Sequence, residues 1–204
     1  MAIVINGSGT VTGLAVGGLP DGTVDSGTLA TDSVTSAKIT DGTIVNADIA
    51  SGSTITANVP VFKARLTSNQ TVTQNVWTKV AMSNERFDSN SWYDTSTYRY
   101  TPLIEGYYQF HGQMMCGTGT LIAAFCSFYK NGSIHSAAGL YADNNSWDDM
   151  GITHTDIIYM NGSSDYVEMF VKVIDTGAAT DVVFYETAGA DASFLTGHLI
   201  REGS

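Results

Sequence analysis

The stretch Gly106-Tyr107-Tyr108-Gln109-Phe110 is rich in aromatic residues and predicts a β-strand. Successive side chains of a strand point to opposite faces, so Tyr108 and Phe110 share one face while Tyr107 and Gln109 share the other. One face can then fill a hydrophobic core while the other meets a neighbour. We take this strand as the centre of a C-terminal domain.

Short alternating segments flank this strand and are separated by residues that favour turns. The turn signals are Ser68-Asn69, Gly117-Thr118-Gly119, Asn131-Gly132 and Asn161-Gly162, of which the second is expected to close a hairpin. Many short strands at this spacing predict an all-β sandwich or jelly roll. The candidate strands are residues 62–66, 78–81, 98–100, 106–116, 121–130, 139–141, 154–160, 165–173 and 193–201.

Several motifs around the central strand resemble the globular head of the complement component q subunit, within the tumour necrosis factor (TNF) superfamily. They are, in the family's order, Tyr93-Asp94, Tyr100-Thr101-Pro102, the Gly106–Phe110 stretch, Phe128–Gly132, Asp165–Glu168 and Ser193–Ile200. The resemblance covers residues 61–201. It implies a TNF-like jelly roll that forms a homotrimer about a threefold axis. Under this resemblance Tyr107, Tyr108 and Phe110 are the candidate residues of the trimer interface.

The composition of the chain changes at residue 60. All 21 aromatic residues lie between Phe62 and Phe194, and the first 60 residues contain no aromatic residue, Arg, Glu, His or Cys. The N-terminal part therefore cannot build an aromatic core, whereas residues 61–204 can bury one of ordinary domain size.

Residues 21–60 contain a repeat of five residues. Six apolar residues recur at this period: Val24, Leu29, Val34, Ile39, Ile44 and Ile49. A period of five fits neither a helix nor a strand, so we expect a repeated turn whose apolar residues form the core of a stalk. The repeat is too short to be stable alone and needs other chains. The alternative is a disordered Ser/Thr/Gly linker.

The N-terminal arm resembles two groups of repeat proteins. Ala47-Asp48-Ile49 is similar to the pentapeptide-repeat family, whose square solenoid needs more coils than this segment provides. Thr35–Ile39 and Asp41–Ile44 are more similar to the short repeats that precede distal domains in bacteriophage fibre proteins. The opening stretch resembles the virion-proximal ends of such proteins. We therefore expect residues 1–20 to anchor the chain to other virion proteins and residues 21–60 to form the stalk of a knob at 61–204.

The charge and hydropathy of the chain exclude several classes of partner. Nine basic against 20 acidic residues give a net charge of −11, which repels nucleic acid. No apolar run is long enough for membrane insertion, and the first residues lack a signal-peptide pattern, so we expect synthesis in the host cytoplasm. The two cysteines, Cys116 and Cys126, are too few for a disulfide framework and are expected to be reduced and buried.

No motif for catalysis is present, and we expect a protein that is not an enzyme and that needs no cofactor. The sequence lacks a nucleophile elbow, a phosphate-binding loop and the spacing of a zinc site. His154 and Asp156 share a strand face, but cross-strand polar contacts are the more common role for such a pair. Asp148 and Asp149 are adjacent and would diverge, which disfavours a polysaccharide-cleaving pair of carboxylates.

Two loops carry the candidate ligand-binding residues. The loop 142–149 combines oxygen ligands with an indole, namely Asp143, Asn145, Trp147, Asp148 and Asp149. Such a loop can bind calcium or contact a glycan, or it can be a solvated acidic turn. Trp92 marks a second aromatic loop, where the indole can also pack at the domain edge.

These expectations combine into a bacteriophage virion protein. We expect a trimeric tail or head fibre whose C-terminal knob binds a host surface receptor, preferably a glycan, with avidity from threefold repetition. The alternative is a purely structural trimer that decorates the capsid or assists tail assembly and has no host ligand.

Overall fold

Two antiparallel sheets form the part of the chain that follows residue 58. The computed structural model describes residues 4–5, 11–12, 29, 31, 33–40, 43–44, 48, 59–142, 147–176, 181–184 and 191–203, without side chains at 4–5, 11–12, 36, 118–120, 147–149 and 181–184. The chain divides into two units, residues 1–55 and 56–204.

In the first unit, β1 (Val4–Ile5) pairs with β2 (Val11–Thr12), and one turn of 3-10 helix spans Ser36–Lys38. Four of the predicted stalk-core residues are described, and each is 39–57% exposed: Leu29, Val34, Ile39 and Ile44. A single chain does not bury these side chains, and the stalk remains a prediction. Val24 and Ile49 lie outside the described residues.

The strands of the second unit are, in order, β3 (Val61–Arg65), β4 (Gln70–Thr73), β5 (Thr78–Lys79), β6 (Asn84–Asp88), β7 (Tyr93–Asp94), β8 (Arg99–Tyr100), β9 (Glu105–Lys130), β10 (Ser133–Tyr141), β11 (Trp147–Asn161), β12 (Val167–Asp175), β13 (Asp181–Phe184) and β14 (Phe194–Glu202). Their antiparallel pairing gives the jelly roll that the sequence predicts.

Strand β9 belongs to both sheets. Residues 105–117 pair with β11 and β14, and β14 continues to β3 and β6; we call these strands sheet I. Residues 121–130 pair with β10 and β12, and β12 continues to β8, β7 and β5; we call these strands sheet II. Strand β13 pairs with both β4 and the middle of β9.

The predicted hairpin turn at Gly117-Thr118-Gly119 is wrong. The backbone continues as one strand through these residues, and Gly117 pairs with Asp149 and with Val183. Glycine accepts extended as well as turned backbone, so a Gly-rich stretch does not by itself specify a turn. Here it lies where β9 passes from one sheet to the other.

The aromatic residues of the motifs meet in the core between the two sheets. The Phe62 ring stacks on the Tyr100 ring at a centroid distance of 3.9 Å, and the Phe110 ring lies 6.1 Å from that of Phe128 on the opposite sheet. The Tyr93 hydroxyl donates to the Met82 carbonyl, and the Tyr108 hydroxyl donates to the Ile104 carbonyl. The hydroxyls of Tyr93 and Tyr108 are thereby satisfied.

A buried carboxylate of β12 ties two short strands of sheet II to it. Glu168 of β12 accepts from Lys79 Nζ of β5 at 2.9 Å and from Arg99 Nε of β8 at 2.7 Å. The Arg99 guanidinium also lies 4.1 Å from the centroid of the Tyr166 ring. Two cations therefore compensate the burial of one carboxylate.

Both Asn-Gly turns are confirmed, but they differ in the space around the glycine. Asn131 and Gly132 have φ values of +53° and +78° and form the two-residue loop between β9 and β10. Gly162 has a φ of +67°, and a Cβ there would come within 2.3 Å of the Glu105 backbone nitrogen. Only Gly162 therefore combines a left-handed backbone with a steric block.

This difference predicts unequal effects of alanine. Gly162→Ala is expected to lower the free energy of unfolding by about 2–4 kcal/mol, because backbone strain and overpacking add. Gly132→Ala is the matched control and is expected to cost about 1 kcal/mol, because its nearest neighbour, Tyr166 Oη, lies at an ordinary 3.5 Å. Urea unfolding of both variants measures the difference, and equal losses would contradict the steric explanation.

Candidate functional site

The outward face of sheet I carries a group of exposed apolar side chains. Its four members are 38–56% exposed: Tyr107, Ile157, Tyr159 and Ile200. The Tyr107 and Tyr159 rings contact each other at a centroid distance of 5.5 Å. The Tyr159 hydroxyl donates to Glu105, and this hydrogen bond raises the pKa of Tyr159. We call these four residues the apolar face.

Only one of the three predicted interface residues lies on this face. Tyr107 points outward, but the side chains of Tyr108 and Phe110 have no exposed surface. The assignment of Tyr108 and Phe110 to an interface is therefore wrong, because the pleat of β9 turns both into the core. Burial also raises the pKa of Tyr108 to about 12.

A groove of about 190 Å³ adjoins the apolar face. It is lined by side chains from three neighbouring strands of sheet I, namely Gln109, His111, Thr155, Thr196 and His198. His111 Nδ1 lies 2.7 Å from Thr155 Oγ1. The lining offers amide, hydroxyl and imidazole groups that can form hydrogen bonds with a ligand.

Three cationic side chains surround one carboxylate at the end of sheet I formed by β3 and β6. Asp191 lies 2.8 Å from Lys63 Nζ, 3.3 Å from Arg65 Nη1 and 3.0 Å from Arg86 Nη2. Its hydrogen bonds with Lys63 and Arg86 lower its pKa to about 2. The cluster joins β3 and β6 to the segment before β14. The sequence gives no local signal for it, because its members lie up to 128 positions apart.

The predicted ligand-binding residues do not form a described site. Trp92 is half-buried against the core, with its ring 6.3 Å from that of Tyr100 and its backbone N–H bonded to Asp88 Oδ2. Asp143 and Asn145 lie outside the described residues. Trp147, Asp148 and Asp149 lie in β11, but their side chains are outside the described part, so the calcium and glycan hypotheses for this loop remain predictions.

His154 and Asp156, which share a strand face, contact different partners. His154 Nε2 lies 2.8 Å from Ser136 Oγ of the neighbouring β10, whereas Asp156 lies 3.7 Å from His135 Nε2. Burial lowers the pKa of His154, so this ring is neutral at pH 7. The cross-strand polar contact expected for His154 is confirmed.

The two cysteines are free and buried, as predicted. Burial raises the pKa of Cys126 to about 12 and raises the pKa of Cys116 further, so neither is a reactive thiolate. Within the described residues, no group of three or more His, Cys, Asp or Glu side chains is placed to hold a metal ion. No helix in the described ranges is long and apolar enough to cross a membrane.

Comparison with known proteins identifies the fold. No family model and no curated protein matches this sequence. Among solved structures, the globular domain of zebrafish complement 1qA is 13% identical with a TM-score of 0.51, covering 71% of this chain and 99% of that one. The Eiger TNF of S. frugiperda is 9% identical with a TM-score of 0.53, covering 72% and 94%. Murine APRIL is 8% identical with a TM-score of 0.51, covering 70% and 99%. At these identities the likeness is one of fold, and the chain has the TNF-like jelly roll.

The cation cluster predicts an acid-dependent loss of stability. Asp191→Asn is expected to lower the free energy of unfolding by about 1–2 kcal/mol at pH 7, because three cations lose their anion. The folded-state pKa of Asp191 is depressed from 3.8 to about 2, so its stabilisation is present above 3.8 and is lost as the pH falls through about 2.

Urea unfolding of the wild type and Asp191→Asn between pH 7 and pH 2 tests this expectation. The difference between the two proteins should shrink over the acid part of that range. Asp156→Asn is the control, because its carboxylate lies 3.7 Å from a single histidine. A difference that is the same at pH 7 and pH 2 would contradict the assigned role.

Proposed function

We propose that this chain is a non-enzymatic virion protein of a bacteriophage, a trimeric tail or head fibre whose C-terminal knob binds a glycan receptor on the host surface. Residues 1–20 dock on other virion proteins, residues 21–60 form a three-chain stalk, and residues 61–204 form the knob. The observation that carries the proposal is the apolar face of sheet I.

The apolar face supports self-association because three of its four members adjoin one another. Tyr107 of β9 pairs with Tyr159 of β11. Ile157 lies two residues before Tyr159 on β11 and therefore on the same face of the sheet. Scattered exposed apolar residues need no explanation, but a contiguous group on a sheet face is typical of a protein interface. The family resemblance implies three copies about an axis, which would cover this face in each copy.

The stalk supports the same assembly. Each described member of the pentad repeat is exposed in the single chain, and burying such a repeat requires neighbouring chains. The virion location rests on the resemblance of this repeat and of the opening stretch to bacteriophage fibre proteins. A net charge of −11 also disfavours nucleic acid as the partner.

A charge placed on the apolar face is expected to dissociate the trimer. Ile157→Glu introduces a carboxylate at a side chain that is 56% exposed, so the fold should persist while three buried carboxylates oppose assembly. Light scattering during size-exclusion chromatography should give three chains of 21.7 kDa for the wild type and one for the variant. Ile134→Glu is the control, because Ile134 is 52% exposed on β10, away from this face. A wild-type monomer would overturn the trimeric assembly.

Adsorption separates the adhesive role from the purely structural alternative. Purified full-length protein added before phage should reduce adsorption to host cells if the knob binds a receptor. Unchanged adsorption at saturating protein would favour the trimer that only decorates the capsid or assists the tail. Absence of the chain from purified particles, measured by mass spectrometry, would reject both roles.

A further inference from the structure

Five aromatic side chains form a continuous strip on the outward face of sheet II. They come from four segments, and with one lysine we define them as the aromatic strip: Trp77, Phe125, Tyr129, Tyr141, Phe170 and Lys172. Successive ring centroids lie 5.2 Å apart from Tyr141 to Phe125, 6.4 Å from Phe125 to Trp77, 6.2 Å from Trp77 to Tyr129 and 3.7 Å from Tyr129 to Phe170.

The pleat of sheet II fixes this arrangement. The even-numbered neighbours on β9, Ala124, Cys126 and Phe128, point into the core, so Phe125 and Tyr129 point outward. Gly139 lies directly across from Phe125, and a Cβ there would come within 2.5 Å of the Phe125 ring. The ring therefore lies on the glycine of the neighbouring strand, which keeps it against the sheet.

The strip remains accessible to a ligand. Tyr141 at one end is 68% exposed, and the other four aromatic side chains are half-buried. Three of the four contacts between neighbouring rings are edge-on, with interplanar angles of 64–86°. The hydroxyls of Tyr129 and Tyr141 add polar groups to an otherwise apolar surface.

Lys172 gives the strip a positive charge. Its ammonium lies 4.8 Å from the centroid of Phe125 and 5.3 Å from that of Trp77. In the described part of the chain, no carboxylate lies within ion-pair distance of Lys172, although the chain has 20 acidic residues for nine basic ones. Beside the strip, Lys79 and Arg99 share the single carboxylate of Glu168. The Asp94 carboxylate, one strand further from the strip, accepts hydrogen bonds from the Ser96 and Thr97 hydroxyls and forms no ion pair with these cations.

We infer that the aromatic strip binds a glycan that carries carboxylate or phosphate groups. The C–H faces of sugar rings carry partial positive charge and stack on the negative faces of aromatic rings, and the anionic group pairs with Lys172. Stacking surfaces also bind single-stranded nucleic acid, but those surfaces lie in cationic grooves that follow the backbone, whereas Lys172 is the single cation of the aromatic strip. The inference rests on the proposed adhesive function and assigns its ligand to a surface other than the loops.

Glycan binding by the strip can be tested by passing the full-length protein over a panel of immobilised glycans. The panel holds alginate, hyaluronate and phosphorylated lipopolysaccharide core oligosaccharide, with dextran as the neutral comparison. The wild type should be retained by at least one acidic glycan and not by dextran, and retention should weaken as salt is raised. Tyr141→Ala and Lys172→Gln should each raise the dissociation constant by about tenfold.

Two matched variants control for loss of side chain and loss of charge. Leu103→Ala removes an exposed apolar group from the segment before β9, and Lys38→Gln removes an exposed lysine from the N-terminal unit. Both should bind as the wild type does, and all four variants should keep the wild-type thermal unfolding midpoint.

Several results would overturn the inference. They are retention by none of the acidic glycans, equal retention of dextran, unchanged affinity in both strip variants, or a change in solution mass on Tyr141→Ala, which would make the strip a contact between copies. The proposed function fails separately, through a monomeric wild type or absence from particles. If the wild type and both strip variants inhibit phage adsorption equally, the adhesive function stands and the strip is rejected as its binding site.

Discussion

The hydrogen-bonding register of β9 is the constraint on which the whole domain depends. This strand of 26 residues bonds to β11 and β14 in sheet I and to β10 and β12 in sheet II. A shift of one residue would turn Tyr108, Phe110 and Phe128 out of the core together. One register therefore determines which residues of both sheets fill the core between them.

The same register divides the surface of the domain. Tyr107, Phe125 and Tyr129 all point outward from β9, so Tyr107 contributes to the apolar face and the other two contribute to the aromatic strip. The outward faces of two sheets packed against each other lie on opposite sides of a sandwich. Assembly through the apolar face would thus leave the aromatic strip open to a ligand.

Local pattern was sufficient to predict much of the fold. The alternation at Tyr107–Phe110 gives the correct faces of β9, and Asn131-Gly132 gives the correct turn because two positive φ values favour these residues. The family resemblance placed residues of both faces, Tyr107, Tyr108 and Phe110, at an interface, and it was wrong for Tyr108 and Phe110 because both fill the core. Gly117-Thr118-Gly119 failed because glycine permits both a turn and an extended strand.

The surface features were harder to predict because they depend on pairing between distant strands. The Asp191 cluster joins residues from β3 and β6 to a residue more than 100 positions away, and no local spacing signals it. The aromatic strip joins Trp77 to residues of β9, β10 and β12, whose order across sheet II is not readable from any one segment. Trp92 is flanked by polar residues in the sequence, which favours an exposed loop, yet its ring packs against the core.

The two buried thiols can report when the sandwich opens. Cys116 lies in the half of β9 that belongs to sheet I, and Cys126 lies in the half that belongs to sheet II. Both are fully buried with raised pKa values, so thiol reagents can modify them only when the sandwich opens. Labelling rates at the two positions would show whether the sheets separate in one cooperative event or one before the other.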